Sequence, residues 1–204
     1  ARDLDLFYWM AELVERTQPR FRRLKPVEAV RAFADVVRIE MDLRMAAAAA
    51  KEIGSDASKV LVSSTGVIGV PLPIEKVEAG IVGMAAELQS DPMVGARGIM
   101  TTDTHPKAFS AKVGDATITW IAKGAGMIEP NMATMLAYVF TDAKLDAAAL
   151  DGMLRRAVDV SFNMCSVDTD TSMSDTCAIL ANGLAGAVDA VAFEAALTTG
   201  CIRM

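Results

Sequence analysis

Among the hydroxyl side chains of this 204-residue chain, Ser63, Ser64 and Thr65 share one loop, Thr101, Thr102 and Thr104 share the next, and Thr134 stands at the head of the most apolar run. A hydroxyl attacks a carbonyl only when a base takes its proton. His105 is the one histidine, and no GxSxG turn accompanies it, so nothing points to a Ser-His-Asp triad. The free α-amine of an N-terminal threonine is another such base, because its pKa of ~8 leaves it partly neutral at neutral pH. Thr134 is internal, so that chemistry requires a cut before it. Gly124 and Gly126 permit positive-φ geometry and Pro130 fixes one torsion, so the Ala133-Thr134 bond could be held distorted beside its own hydroxyl. Attack on the Ala133 carbonyl would be an N-to-O acyl shift, and water would then release residues 1–133 and 134–204. On these residues alone, the simpler reading is a glycine-rich turn into a core strand with Thr134 as an ordinary strand residue.

The elements that must position these groups alternate between helix and strand. Residues 28 to 53 are helix-prone and stop at Gly54. Val60, Leu61 and Val62 read as a short buried strand entering the SSTG loop. Ile74, Val77, Ile81, Met84 and Leu88 recur at intervals of three and four, which predicts one apolar helix face. Asp91-Pro92 ends that helix, and a polar stretch leads to residues 116–122, where Thr117 and Thr119 alternate with Ile118 and Trp120 as in a half-buried strand. MATMLAYVF (132–140), apolar on both parities and closed by Thr141-Asp142, predicts a central strand covered on both faces. Asp146 can cap a helix carrying Leu150, Leu154, Ala157 and Val158, and a final Ala-rich stretch predicts two helical segments. With no repeat and no linker, the chain reads as mixed α and β (α+β), layered sheets flanked by helices, in a single domain over 1–204.

Composition narrows the function classes. At 52% hydrophobic and 23% charged, with a mean hydropathy of +0.32, the chain is neither disordered nor low-complexity. No apolar run is long enough to span a membrane, and the N-terminal stretch has charges where a signal peptide is greasy, so the expected location is the cytoplasm. A net charge of −6 argues against nucleic acid as a partner. The locally basic Arg16 to Lys25 reads as solvated surface. Cys165, Cys177 and Cys201 carry no CxxC spacing, so we expect buried thiols and no zinc. Asp168, Asp170 and Asp175 lack the glycine and closing glutamate of a calcium loop and read as turn and capping residues, so no metal is expected.

The segments VLVSSTGVIGVPLP, GIMTTDTHPK, IAKGAGMIEPNMATMLAYVFTDA and SFNMCSVDTDTSMSDTCAILANG stand in the order and rough spacing of the ornithine acetyltransferases, also called glutamate N-acetyltransferases. The chain resembles that family over about residues 41 to 204, KGAGMIEPNMATML being the most specific stretch. The resemblance implies a self-cleaving threonine-nucleophile fold and an enzyme of arginine biosynthesis that moves an acetyl group from N-acetylornithine to glutamate through an acetyl-threonine, some members also accepting acetyl-CoA. It implies no cofactor. Thr134 matches the family's nucleophile and Ala133-Thr134 its processing bond. Thr65 and Gly66 match the oxyanion-hole pair, where an N–H donor is typically worth about 10²- to 10³-fold in rate. Thr101 and Lys123 match substrate-binding positions, although Lys123 without the motif reads as a surface lysine at a strand end. The cleaved chains are expected to assemble into hetero-oligomers.

Family chains are longer at both ends. Residues 1–40 hold a helical stretch with Pro19 and Pro26 that has no match, and the chain ends at GCIRM before the segments that complete the family's amino-acid site. It therefore reads as truncated, which leaves two further expectations open: a catalytically silent fragment serving as a subunit, or a self-cleaving aminopeptidase or amidase that uses water as acceptor.

Overall fold

In a computed structural model, the residues described are 2–18, 20, 25–31, 44–65, 72–126, 135–167 and 175–204. They belong to two compact units, residues 1–88 and 89–204.

The regular structure described in the first unit is helical. Helix α1 (Arg2–Thr17) ends where the Thr17 hydroxyl turns back to donate to the Leu13 carbonyl at 2.7 Å. Residues 26–31 form α2, whose Val27 N–H donates to Glu15 Oε1 at 3.3 Å. The helix-prone stretch expected over 28–53 is seen as the end of α2 and as α3 (Arg44–Ile53), with residues 32–43 outside the description. Met45, Ala46 and Ala50 are the buried face of α3, and Gly54, at φ +67°, stops it as the sequence predicted. α4 (Ile74–Ile81) packs on α3. The longer helix expected to reach Leu88 breaks after Ile81: Gly83 takes φ +84° and gives its N–H to the Glu52 carboxylate at 2.7 Å, and a 3₁₀ turn (Met84–Glu87) follows. Periodicity alone could not see that break, and Leu88 ends up exposed. Val60 to Val62 form no strand among the described residues, and the Val60 N–H closes the preceding 3₁₀ turn on the Ala57 carbonyl at 3.1 Å.

The second unit carries the sheet. α5 (Pro92–Gly98) starts at Asp91, whose Oδ1 accepts the Met93 N–H at 2.9 Å, with Pro92 opening the first turn. Four strands follow, β1 (Lys107–Val113), β2 (Ala116–Lys123), β3 (Leu136–Lys144) and β4 (Thr176–Ala187), in the order β1-β2-β3-β4. The first two pairings are antiparallel and β3-β4 is parallel, the crossover being made through α6 (Ala147–Asp159). β1 and β2 are joined by the two-residue loop Gly114-Asp115 with Gly114 at φ +58°, the glycine-first form suited to the strand twist. Asp146 caps α6, its Oδ2 accepting the Ala148 and Ala149 N–H groups, and Leu150, Leu154, Ala157 and Val158 are buried, all as the sequence predicted.

The core lies on one sheet face. Ile118 and Trp120 of β2 and Val139 of β3 pack with Leu154 and Ala157 of α6 and with Phe193 and Leu197 of α7 (Ala190–Arg203). Trp120 stacks on Phe109 at a 4.8 Å ring separation. Side chains alternate across a strand, so Ile121 faces the other way, beside Gly95 of α5.

Two readings need correction here. β3 is central, between β2 and β4, but its second face is only partly covered among the described residues: Ala137, Val139, Thr141 and Ala143 are buried on one side, while on the other Leu136 is buried and Phe140 is 41% exposed. β3 also runs past Thr141-Asp142 to Lys144. The Ala-rich C-terminal stretch is one strand and one helix, not two helices. β4 pairs beside β3, and Gly183 and Gly186, at φ +73° and +82°, suit a bulged strand that helix propensity cannot foresee. Of the thiols, Cys201 is buried, Cys177 half-buried and Cys165 exposed, so only part of the expected burial holds. Burial pushes Cys177 up to about 12 and Cys201 up to about 11. Among the described residues, no helix is long and apolar enough to cross a membrane.

Candidate functional site at the strand end

Three strands meet at one end of the sheet. Lys123, the last residue of β2, stands in register with Leu136, the first of β3, and Leu136 with Thr176, the first of β4. Lys123 is no surface lysine: it is 2% exposed, and its Nζ donates to Thr101 Oγ1 at 3.3 Å. Two residues matched from sequence are thus brought together. Burial lowers the Lys123 pKa below its ordinary value, the Asp103 and Asp175 carboxylates act against that, and Lys107 adds to the lowering.

Asp103 ties the Thr101 loop to the strand end. Its Oδ1 accepts from Lys107 Nζ at 2.5 Å and from the Gly124 N–H at 2.9 Å, and its Oδ2 accepts the Thr101 N–H at 3.3 Å. Lys107 Nζ also donates to the Gly124 carbonyl at 3.1 Å. Burial pushes the Asp103 carboxyl up, but these bonds and the Lys107 charge outweigh it and bring its pKa down to about 2. The loop that carries Thr101 is held by charge-assisted bonds, the stronger kind.

Asp175 does the matching work on the far strand. Its Oδ1 accepts the Met135 N–H at 2.7 Å, while the Met135 carbonyl accepts the Thr176 N–H at 2.9 Å. Burial raises the Asp175 pKa, and the Met135 bond and the Lys123 charge oppose the rise. Its Oδ2 is buried with no hydrogen-bond partner among the described residues. From sequence alone Asp175 reads as a turn or capping residue and Asp103 stands out in no way, since a lone aspartate in a polar stretch carries no periodic signal.

The other matched residues are placed as follows. Thr65 lies in the first unit, half-buried, in the irregular segment after the 3₁₀ turn Ala57–Lys59. Gly66, Ala133 and Thr134 lie outside the described residues, as do Asp168 and Asp170. His105 sits in a bend, its Nδ1 3.0 Å from Thr104 Oγ1. A desolvated ammonium beside a hydroxyl can attract an anionic group, because charges attract more strongly where water is scarce, while the Asp103 and Asp175 carboxylates offset part of its charge.

The fold is that of a mixed α and β protein, a four-stranded sheet flanked by helices, with a charged cluster where three strands end. The chain belongs to the ArgJ family, whose model matches residues 33–204. It is 54% identical to the arginine biosynthesis bifunctional protein ArgJ 2 of Clostridium acetobutylicum over 154 residues, 75% of this chain and 40% of that protein. It is 43% identical to the ArgJ protein of Rhodococcoides fascians over 189 residues, 92% of this chain and 46% of that one. The glutamate N-acetyltransferase Oat2 of Streptomyces clavuligerus is 48% identical over 160 residues, 77% and 40% of the two chains. The chain thus spans less than half the length of these relatives.

Proposed function

We propose that this chain carries the acyl-transfer machinery of an arginine-biosynthetic acetyltransferase that moves an acetyl group from N-acetylornithine to glutamate, with acetyl-CoA as a second donor. The observation that supports this best is the buried Lys123, bonded to Thr101 and in register with Leu136, two residues beyond Thr134. In this reading the fold is of the self-cleaving threonine-nucleophile type. The Thr134 hydroxyl first attacks the Ala133 carbonyl. The C–N bond breaks as the ester forms, the proton passes to the amine, and water hydrolyses the ester to leave a free α-amine on Thr134.

That amine then serves as the base. It takes the hydroxyl proton as Thr134 attacks the acetyl carbonyl of N-acetylornithine, and ornithine departs carrying the proton. Thr65 and Gly66 donate to the oxyanion, each donor worth about 10²- to 10³-fold. Lys123 and Thr101 hold the substrate's carboxylate. The amine of glutamate attacks the acetyl-threonine and regenerates the hydroxyl. No cofactor takes part, the two cleaved chains stay associated as a hetero-oligomer, and the site of action is the cytoplasm.

Weighing the C-terminal chain after incubation with N-acetylornithine tests this. The expected outcome is one acetyl group on the peptide that begins at Thr134, removed on adding glutamate. No adduct would sink the mechanism, and discharge to water at the same rate with and without glutamate would make the protein a hydrolase instead.

A further inference from the structure

We propose that Asp175 is a positioning residue for the acyl-transfer threonine: its carboxylate clamps the amide of Met135, the residue next in the chain to Thr134, and so anchors the start of β3 from which that threonine is carried. This rests on the reading of Thr134 as nucleophile. Asp175 lies forty residues beyond Met135 in the chain, yet its Oδ1 accepts the Met135 N–H at 2.7 Å. The next residue, Thr176, gives its N–H to the Met135 carbonyl at 2.9 Å. Two successive residues at the start of β4 thus hold both backbone polar groups of Met135. A peptide group is planar and rigid, so fixing the Met135 N–H fixes the whole unit through which Thr134 is joined to it.

The strand ladder alone does not supply this hold. The parallel pairing of β3 and β4 begins at Leu136↔Thr176, so the Met135 N–H stands just before it and is met by a side chain. A carboxylate is a short-reach, charged acceptor that leaves little play in that bond. Across the sheet, the buried Lys123 ammonium is close enough to favour the ionised form of Asp175 against its burial. The substrate-side cation and the nucleophile-side anchor are therefore electrostatically coupled through one residue.

Three substitutions separate a clamp from a mere charge or a mere packing role. Asp175→Asn keeps an acceptor oxygen at Oδ1 without charge, Asp175→Glu keeps the charge but moves the oxygen by a methylene, and Asp175→Ala removes both. The rate of the cut before Thr134, the kcat and KM for acetyl transfer, and the melting temperature are measured for each in the purified protein. We expect Asn to stay within about tenfold of the unsubstituted protein, and Glu and Ala to lose about 10²-fold in cutting rate and kcat with KM nearly unmoved, as a small misplacement of a reacting group does. Glu at full rate with Asn slow would show that charge alone matters and would overturn the proposal. Equal rates per folded molecule in all variants would overturn it too. An unsubstituted protein that neither cuts before Thr134 nor takes up an acetyl group fails at the nucleophile itself and removes the basis of the clamp, a result readable before any variant is made.

Discussion

Asp103 concentrates more of the site's order than any other single side chain described. Its two oxygens receive three bonds from the loop start, from β1 and from the end of β2, so it joins Thr101 to the strand that carries Lys123. Its folded pKa of about 2 lies below the ordinary 3.8, so its contribution to stability is fully present above the ordinary value and is lost as pH falls toward about 2. The difference corresponds to about 2 kcal/mol at neutral pH. Asp103→Asn should lower unfolding stability by about that amount at pH 7, and the gap between the two proteins should close as pH is brought down through 4 toward 2. Urea titrations at several pH values measure this; a gap independent of pH would mean that the carboxylate's charge does not hold the loop. Neither Asp103 nor Asp175 could be picked out from sequence, since what distinguishes them is which distant backbone N–H groups they meet. Thr101 and Lys123 were legible only through the family motif, and the burial of Lys123 ran against its plain reading.

At the scale of elements, α7 is fixed against the sheet by the absence of a side chain. Gly200 lies where an added Cβ would run into the indole of Trp120, and Trp120 is itself 1% exposed and stacked on Phe109. Gly200→Ala gains helix propensity of about 1 kcal/mol, but the overlap with a ring that has nowhere to go costs more, about 1 to 3 kcal/mol net for overpacking of this kind. Gly152 of α6 is the control: a Cβ there meets only the Arg156 guanidinium at 3.3 Å, the end of a long exposed side chain. Gly152→Ala should therefore leave the melting temperature unchanged or raise it, while Gly200→Ala lowers it by several degrees. Equal effects at the two positions would show that α7 does not pack on β2 as described. Elements with strict periodicity, β2 and α6, were readable from the sequence. β1 was missed although Phe109, Ala111 and Val113 alternate up to a Gly-Asp turn, which is a hairpin signal. β4 was misread because alanine favours a helix in isolation, and only pairing with β3 makes the segment extended.

The whole molecule bears on cleavage through the order of its strands. A cut before Thr134 falls between β2 and β3, which are paired neighbours, Ile118↔Thr141 through Lys123↔Leu136. β1 and β2 would go with the first piece, and β3, β4, α6 and α7 with the second. The core in which Ile118 and Trp120 meet Val139, Phe193 and Leu197 would then be shared by the two pieces. Burying side chains of this size contributes roughly 1.5 to 3 kcal/mol each, so the break should nick the sheet without opening it. The expected outcome is a protein whose native size is unchanged by processing and which separates only in denaturant. The piece from Thr134 onward has Lys144, Arg155, Arg156 and Arg203 against nine carboxylates, a net charge of −5 out of the chain's −6, so the other piece is nearly neutral and the two are easily resolved. Thr134→Ala should give one uncut chain, and Thr134→Ser should still be cut, because a serine hydroxyl can make the same acyl shift. Lys123→Ala should be cut normally if Lys123 only grips substrate. Denaturing mass spectrometry decides among these outcomes. A single mass for the unsubstituted protein would leave the α-amine of Thr134 locked in a peptide bond, unable to serve as the base, and the acetyltransferase reading of the chain would fall with it.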